Sequence, residues 1–117
     1  MKLTIDQALQ KGIAAHKEGK LQDAESFYRS ILKSEPKHSD ANHNLGVLSF
    51  SMNKTVEALP FFKIALESNP KIEQFWLSYI DALIKVNQFT NAIKILKQAK
   101  KNGFTGEKFI ILEKKLS

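Results

Sequence analysis

Apolar side chains recur along this chain at spacings of three and four residues, the pattern of amphipathic helices. The clearest example lies within residues 21–34. Its apolar members, at i, i+3, i+4, i+7 and i+8, are Ala24, Phe27, Tyr28, Ile31 and Leu32. The alternation of period two that would indicate half-buried strands is not the organising pattern, so we predict an all-α chain.

The same spacing divides the sequence into seven predicted helices. We place them at about Ile5–Glu18, Leu21–Ser34, Asp40–Ser51, Thr55–Ser68, Glu73–Lys85, Phe89–Lys101 and Glu107–Leu116. Thr4 and Gln7 are spaced as a capping box for the first helix, and Ser39 is the expected N-cap of the third. Pro60 removes one backbone hydrogen bond, and we expect it to bend the fourth helix without breaking it.

The breaks between the helices carry residues suited to sharp turns. Gly19, Asn53 and Asn87 are each expected to adopt a positive φ, and Gly103 should end the sixth helix in the same way. Pro36 and Pro70 should end the second and fourth helices, because proline disfavours helix at the residue before it.

Prolines, glycines and alanines of the helices and their ends repeat with a period of 34 residues, a spacing typical of helical repeat proteins. Pro36 and Pro70 are one period apart, as are Gly12 and Gly46. The members of a third such series are Ala24, Ala58 and Ala92. Small residues at fixed offsets predict places where two helices approach closely.

In this period and these residues the chain resembles the tetratricopeptide repeat (TPR). In the second repeat, six of eight signature positions are filled, by Leu45, Gly46, Ala58, Phe62, Ala65 and Pro70. Asn42 and Ser49 stand where the family usually has large aromatic residues. The third repeat departs further, since Ile80 replaces the glycine and Phe104 the proline.

The resemblance implies an all-α, right-handed α-solenoid of three helix-turn-helix repeats plus a C-terminal capping helix. We expect a single domain over 1–117, with repeats at about 5–38, 39–72 and 73–106 and the capping helix at 107–116. The last helix should cover the open end of the stack. We assign its apolar face to Phe109, Ile110, Leu112 and Leu116.

In TPR proteins the first helices of successive repeats line a concave groove that binds partners. Carried over by register, the partner-binding groove here would comprise Leu9, Ile13, His43, Asn44, Val47, Phe50, Leu77, Ser78, Asp81 and Ile84. Its apolar strip would suit a partner helix or an extended apolar segment. The alternative is that these side chains pack between neighbouring helices of the chain itself.

One subtype of the family clamps the C-terminal carboxylate of heat-shock proteins with Lys, Arg and Asn side chains. The matching positions here hold Leu9, Ile13, Asn44, Gln74 and Ser78, so only one of them keeps the required residue. Without cations at these positions a carboxylate would have no charged partner. The sequence therefore argues against this mode of binding.

Composition narrows the remaining chemistry. Cysteine is absent, which excludes disulfides, thiolate metal sites and a cysteine nucleophile. No export signal and no apolar run long enough for a bilayer span are visible, and we expect a cytoplasmic protein without membrane association. The three histidines lack carboxylates at ligand spacing, and no phosphate loop or nucleophile elbow occurs. We therefore expect no metal, no cofactor and no enzymatic activity.

Charge distinguishes the end of the chain from the rest. The net charge of +6 arises entirely after residue 84, where eight lysines face only Glu107 and Glu113. Lys94, Lys97 and Lys101 share one helix face, which is the pattern of a nucleic-acid or acidic contact. Arginines and interleaved aromatic residues are missing from this stripe, so a solvated face is the ordinary explanation.

The function we expect is therefore protein–protein interaction, with a protein or peptide partner held in the groove. Phrases such as DANHNLGVL, EALPFFKIALESNP and QFWLSYIDALIKVNQF also resemble the N-terminal TPR modules of larger bacterial proteins. In those proteins a glycosyltransferase, sulfotransferase or methyltransferase domain follows the repeats. Self-association into a homodimer is the alternative function, and nucleic-acid binding is the weaker one.

Overall fold

The computed structural model describes residues 2–117, and within them the chain forms seven α-helices and no strand. The helices are α1 (Ile5–Lys17), α2 (Leu21–Ser34), α3 (Ser39–Ser51), α4 (Thr55–Ser68), α5 (Glu73–Lys85), α6 (Phe89–Lys101) and α7 (Glu107–Leu116). They stack into an elongated all-α solenoid of 51 × 26 × 21 Å.

The predicted helices are confirmed, with two adjustments at their ends. Thr4 and Gln7 form the capping box, each side chain accepting from the other residue's backbone N–H at 3.0 and 2.9 Å. Glu18 caps the C-terminus of α1 and is not part of it. Ser39 was wrongly predicted as the N-cap of α3: it is the first helical residue, and His38 Nδ1 accepts from the Ala41 N–H at 3.1 Å.

The turns between paired helices adopt the predicted left-handed backbone. Gly19, Asn53 and Asn87 have φ values of 77°, 60° and 63°. Gly103 follows α6 with φ 92°. One residue of positive φ in each break lets the backbone reverse within three residues and return along the preceding helix.

Paired helices approach closely where the sequence has glycine. A Cβ on Gly12 would lie 2.5 Å from Cε1 of Tyr28 in α2, and one on Gly46 would lie 2.5 Å from Cε1 of Phe62 in α4. Both aromatic side chains are buried. The predicted role of these glycines is confirmed, since the rings occupy the space that a larger residue would need.

Successive helix pairs are tied together by one recurring hydrogen bond. The Asn42 side-chain amide donates to the Pro36 carbonyl at 3.0 Å, and the Trp76 indole N–H donates to the Pro70 carbonyl at 2.8 Å. The two donors are 34 residues apart and both are buried. Asn42 therefore makes the same hydrogen bond as Trp76 in the next repeat, because its amide reaches the carbonyl of the corresponding proline.

The helix α7 closes the stack against α5 and α6. Phe109 and Leu112 are buried in the last core cluster with Trp76, Ile80 and Leu83. The assignment of Ile110 to this buried face was wrong. Its side chain points away from α5 and α6 and is 48% exposed.

Candidate interaction groove

The helices form two layers, and one of them lines the inner side of the stack. In that layer α1 contacts α3, α3 contacts α5 and α5 contacts α7. Among residues 2–117 the outer helices α2, α4 and α6 make no comparable contacts with one another. A layer whose members touch is the inner side of a curved stack, so the candidate groove lies along α1, α3 and α5.

A pocket of about 200 Å³ opens in this groove between α3 and α5. The residues that line it are Val47, Phe50, Ser51, Phe62, Ser78 and Asp81. Four of these were predicted as groove residues, and the structure brings them to one place: Val47, Phe50, Ser78 and Asp81. Its walls are apolar, with the Asp81 side chain exposed at the rim.

The floor of the pocket was not predicted from the sequence. Phe62 belongs to the outer helix α4 and reaches the groove by passing over Gly46. It packs with Ala58 and Ala82 in a small core cluster that Val47 and Phe50 cover. The sequence contained a signal for it. A glycine on an inner helix opposite an aromatic residue on the next helix lets the ring extend past the inner helix toward the groove.

Polar side chains bridge α3 and α5 beside this pocket. His43 Nε2 and Ser78 Oγ are joined by a hydrogen bond of 2.8 Å, and the Gln74 amide donates to the same Oγ at 3.0 Å. The His43 ring lies against Phe75 and Phe62, with centroid distances of 4.8 and 5.5 Å. These contacts join α3 to α5 beside the pocket.

Burial sets the charge of this histidine. Removal from water lowers the pKa of His43 below its ordinary value, while Asn44 and the carboxylate of Asp40 oppose the shift more weakly. The imidazole is therefore neutral at pH 7. A neutral ring suits its position between two phenylalanines and a serine hydroxyl.

The remaining predicted groove residues are divided between surface and core. Leu9 and Leu77 are only 8% and 9% exposed and pack into the first and last core clusters. Ile13 and Ile84 are half-buried against the same two clusters. Asn44 is half-buried next to His43 and near Tyr28. The accessible part of the strip is thus centred on Val47 and Phe50.

Outside the groove, the most distinctive surface is the lysine-rich face of α6. Lys94, Lys97 and Lys101 do share one face and line a shallow depression on α6 with Ile93. Residues 2–117 hold no cluster of three or more His, Cys, Asp or Glu side chains able to bind a metal ion. In this range no helix has the length and apolar character needed to cross a membrane.

Solved TPR domains share this fold. The first TPR domain of Spaghetti (RPAP3), bound to the HSP90 peptide SRMEEVD, superposes with a TM-score of 0.83 at 16% identity, over 96% of this chain and 89% of that one. The TPR2B domain of yeast Sti1, in complex with pHsp70, has a TM-score of 0.82 at 19% identity, over 96% and 94%. The predicted fold class, an all-α TPR solenoid, is confirmed.

A longer structure shares the fold as well. PilF of Pseudomonas aeruginosa superposes with a TM-score of 0.80 at 19% identity, over 97% of this chain. The present chain spans 52% of the length of PilF. The sequence itself matches no protein-family model and no curated protein.

Proposed function

We propose that this chain is a protein-interaction scaffold that holds an apolar segment of a partner in the groove between α3 and α5. The observation that carries the proposal is the pocket of about 200 Å³ with Val47, Phe50 and Phe62 as its apolar walls. A volume of this size accepts one apolar side chain, which is how helices and extended peptides anchor in grooves. The peptide-bound RPAP3 domain supports the same use of the fold.

The chemistry of the rim limits the partner. Asp81 is the single charged residue among those that line the pocket, and the lining includes no cation. A carboxylate next to an apolar pocket favours a segment in which Lys or Arg neighbours the anchoring side chain. An acidic C-terminus such as that of the HSP90 peptide would meet a like charge.

The wider setting of the chain is a second part of the proposal. Its resemblance to the N-terminal modules of larger bacterial proteins supports a role in recruiting a partner for a catalytic domain elsewhere in such a protein. On this proposal the repeats themselves bind and do not catalyse. The cytoplasmic location expected from the sequence stays a prediction.

The groove is tested with a displayed library of random peptides selected on the wild-type chain. We expect the selected peptides to combine a large apolar residue with Lys or Arg, and to bind Val47→Lys at least about tenfold more weakly because the pocket would be filled. Asp81→Asn should reduce the preference for the cation and keep the apolar anchor.

The matched control is Val56→Lys, which places the same change on α4 at a side chain that is 65% exposed. Circular dichroism should show equal helix content for all variants. Leu77→Lys is unsuitable, since a buried leucine would be lost with it. Equal binding of the peptides to Val47→Lys and Val56→Lys would exclude the groove.

A further inference from the structure

The helix α7 stands in register with the inner helices. The first residues of α3, α5 and α7 are Ser39, Glu73 and Glu107, each 34 residues after the one before. In this register Glu113 and Lys114 occupy the places held in α3 by Leu45 and Gly46. The same position holds Gly12 in α1, Gly46 in α3 and Ile80 in α5, so Lys114 places a charge where the preceding inner helices have a small or apolar residue.

A second apolar face nevertheless remains on α7. Phe109 and Leu112 point into the stack, whereas Ile110 and Ile111 are 48% and 49% exposed. At 3.6 residues per turn the two isoleucines lie on the side of the helix opposite the buried pair. Two adjacent half-exposed isoleucines on the outermost helix form a small apolar patch with water on its outer side.

We propose that a second copy of this chain covers the patch, with the two α7 helices antiparallel across a twofold axis. This surface is separate from the groove between α3 and α5. The α7 patch comprises Glu107, Ile110, Ile111 and Lys114, which follow i, i+3, i+4 and i+7 and therefore share one face.

The charges on this face are arranged to complement themselves. If the axis passes between Ile110 and Ile111, the four isoleucines of the two copies meet at the centre. Glu107 of each copy then lies opposite Lys114 of the other, which gives two equivalent ion pairs. A twofold interface requires this kind of self-complementarity.

The charged groups needed for these pairs are free in the single chain. Within residues 2–117 Glu107 and Lys114 take part in no ion pair, and both are exposed. The neighbouring Glu113 is already paired with Lys100 of α6. A parallel arrangement would place Glu107 opposite Glu107 and Lys114 opposite Lys114, so the charges select the antiparallel one.

The area involved makes this a weak dimer. The area that two half-exposed isoleucines and their flanking residues can bury is well below the roughly 800 Å² per partner of a stable interface. Sedimentation equilibrium over about 10 µM to 1 mM is therefore the appropriate measurement for so small an interface. We expect a monomer–dimer equilibrium within this range.

Charge reversal provides the sharp test. Glu107→Lys alone would place lysines opposite one another at both contacts, and Lys114→Glu alone would place glutamates opposite one another. Each variant should dimerise roughly tenfold more weakly than the wild type. An equimolar mixture of the two should recover association, because both contacts in the mixed dimer again join Lys and Glu.

Controls separate this surface from the rest of the molecule. Ile110→Ser with Ile111→Ser should abolish the dimer, whereas Val56→Ser on α4 and the groove variant Val47→Lys should leave it unchanged. A wild-type chain that is monomeric up to about 1 mM would overturn the proposal. So would a mixture of the charge variants that associates no better than either alone, or a dimer insensitive to the isoleucine changes.

Discussion

His43 shows how one side chain links the stability of this protein to pH. Its ring lies against Phe62 and Phe75, and this burial lowers its pKa below the ordinary histidine value of about 6.5. As the pH falls below that ordinary value, His43 binds a proton in the unfolded chain but not yet in the folded chain. The folded state therefore loses stability as the pH falls toward the lowered pKa.

We predict that the free energy of unfolding of the wild type decreases between pH 7 and pH 5, and that His43→Gln reduces this decrease. Urea titrations at several pH values measure both slopes. Ser78→Ala keeps the histidine and should keep the pH dependence while lowering stability at every pH. If the stability of His43→Gln follows the wild-type pH dependence, the claim that burial keeps His43 neutral is wrong.

In two helix pairs, α1 with α2 and α3 with α4, a glycine facing an aromatic ring sets the spacing between the helices. Gly46 allows Phe62 to cross over α3, and Gly12 allows Tyr28 to cross over α1. The first of these contacts also places the buried ring of Phe62 beneath the groove as the floor of the pocket. One packing requirement between α3 and α4 therefore creates the candidate binding surface.

Gly46→Ala should reduce the free energy of unfolding by about 1–2 kcal/mol, because overpacking outweighs the better helix propensity of alanine. The ring of Phe62 is buried and cannot move aside freely. Phe62→Leu removes the aromatic atoms that the new methyl would meet. In that background Gly46→Ala should cost clearly less, and a double-mutant cycle by urea denaturation measures the coupling.

An equal cost of Gly46→Ala in both backgrounds would contradict this account of the close approach. The same cycle with Gly12→Ala and Tyr28→Leu should give coupling of the same sign, since a Cβ on Gly12 would also lie 2.5 Å from Cε1 of Tyr28.

Across the whole chain, stability depends on the closure of the stack by α7. Ile80, Leu83 and Leu96 of the last helix pair share a core cluster with Phe109 and Leu112. The exposed ion pair between Lys100 and Glu113 adds little, since surface pairs are typically worth less than about 1 kcal/mol. Apolar burial is therefore what keeps the cap in place.

Phe109→Ala should lower the free energy of unfolding by about 3–5 kcal/mol, because it empties a fully buried site. Ile111 lies on the opposite face of α7 and is half-exposed, so Ile111→Ala should cost less than about 1 kcal/mol at low micromolar protein concentration. Urea denaturation followed by circular dichroism compares them. Equal losses for the two variants would mean that α7 is not held by Phe109.

The sequence alone was enough to determine the helices, their turns and the repeat. Helix periodicity depends on local spacing, and a positive φ needs Gly or Asn, so both can be read from neighbouring residues. The 34-residue series placed Gly12 and Gly46 where two helices approach closely, whereas the rings that they face, Tyr28 and Phe62, were found only in the structure. The departure at Asn42 predicted a missing aromatic residue, but not that its amide would bond the Pro36 carbonyl.

Only the tertiary structure decided which apolar residues of the groove remain accessible. Leu9 and Leu77 share the 34-residue register of His43, yet neighbouring helices bury them. Phe62 reaches the groove from the outer layer, and Ile110 turns away from the core that was assigned to it. Periodicity places a side chain on a face of its own helix, whereas exposure depends on what other helices bring to that face.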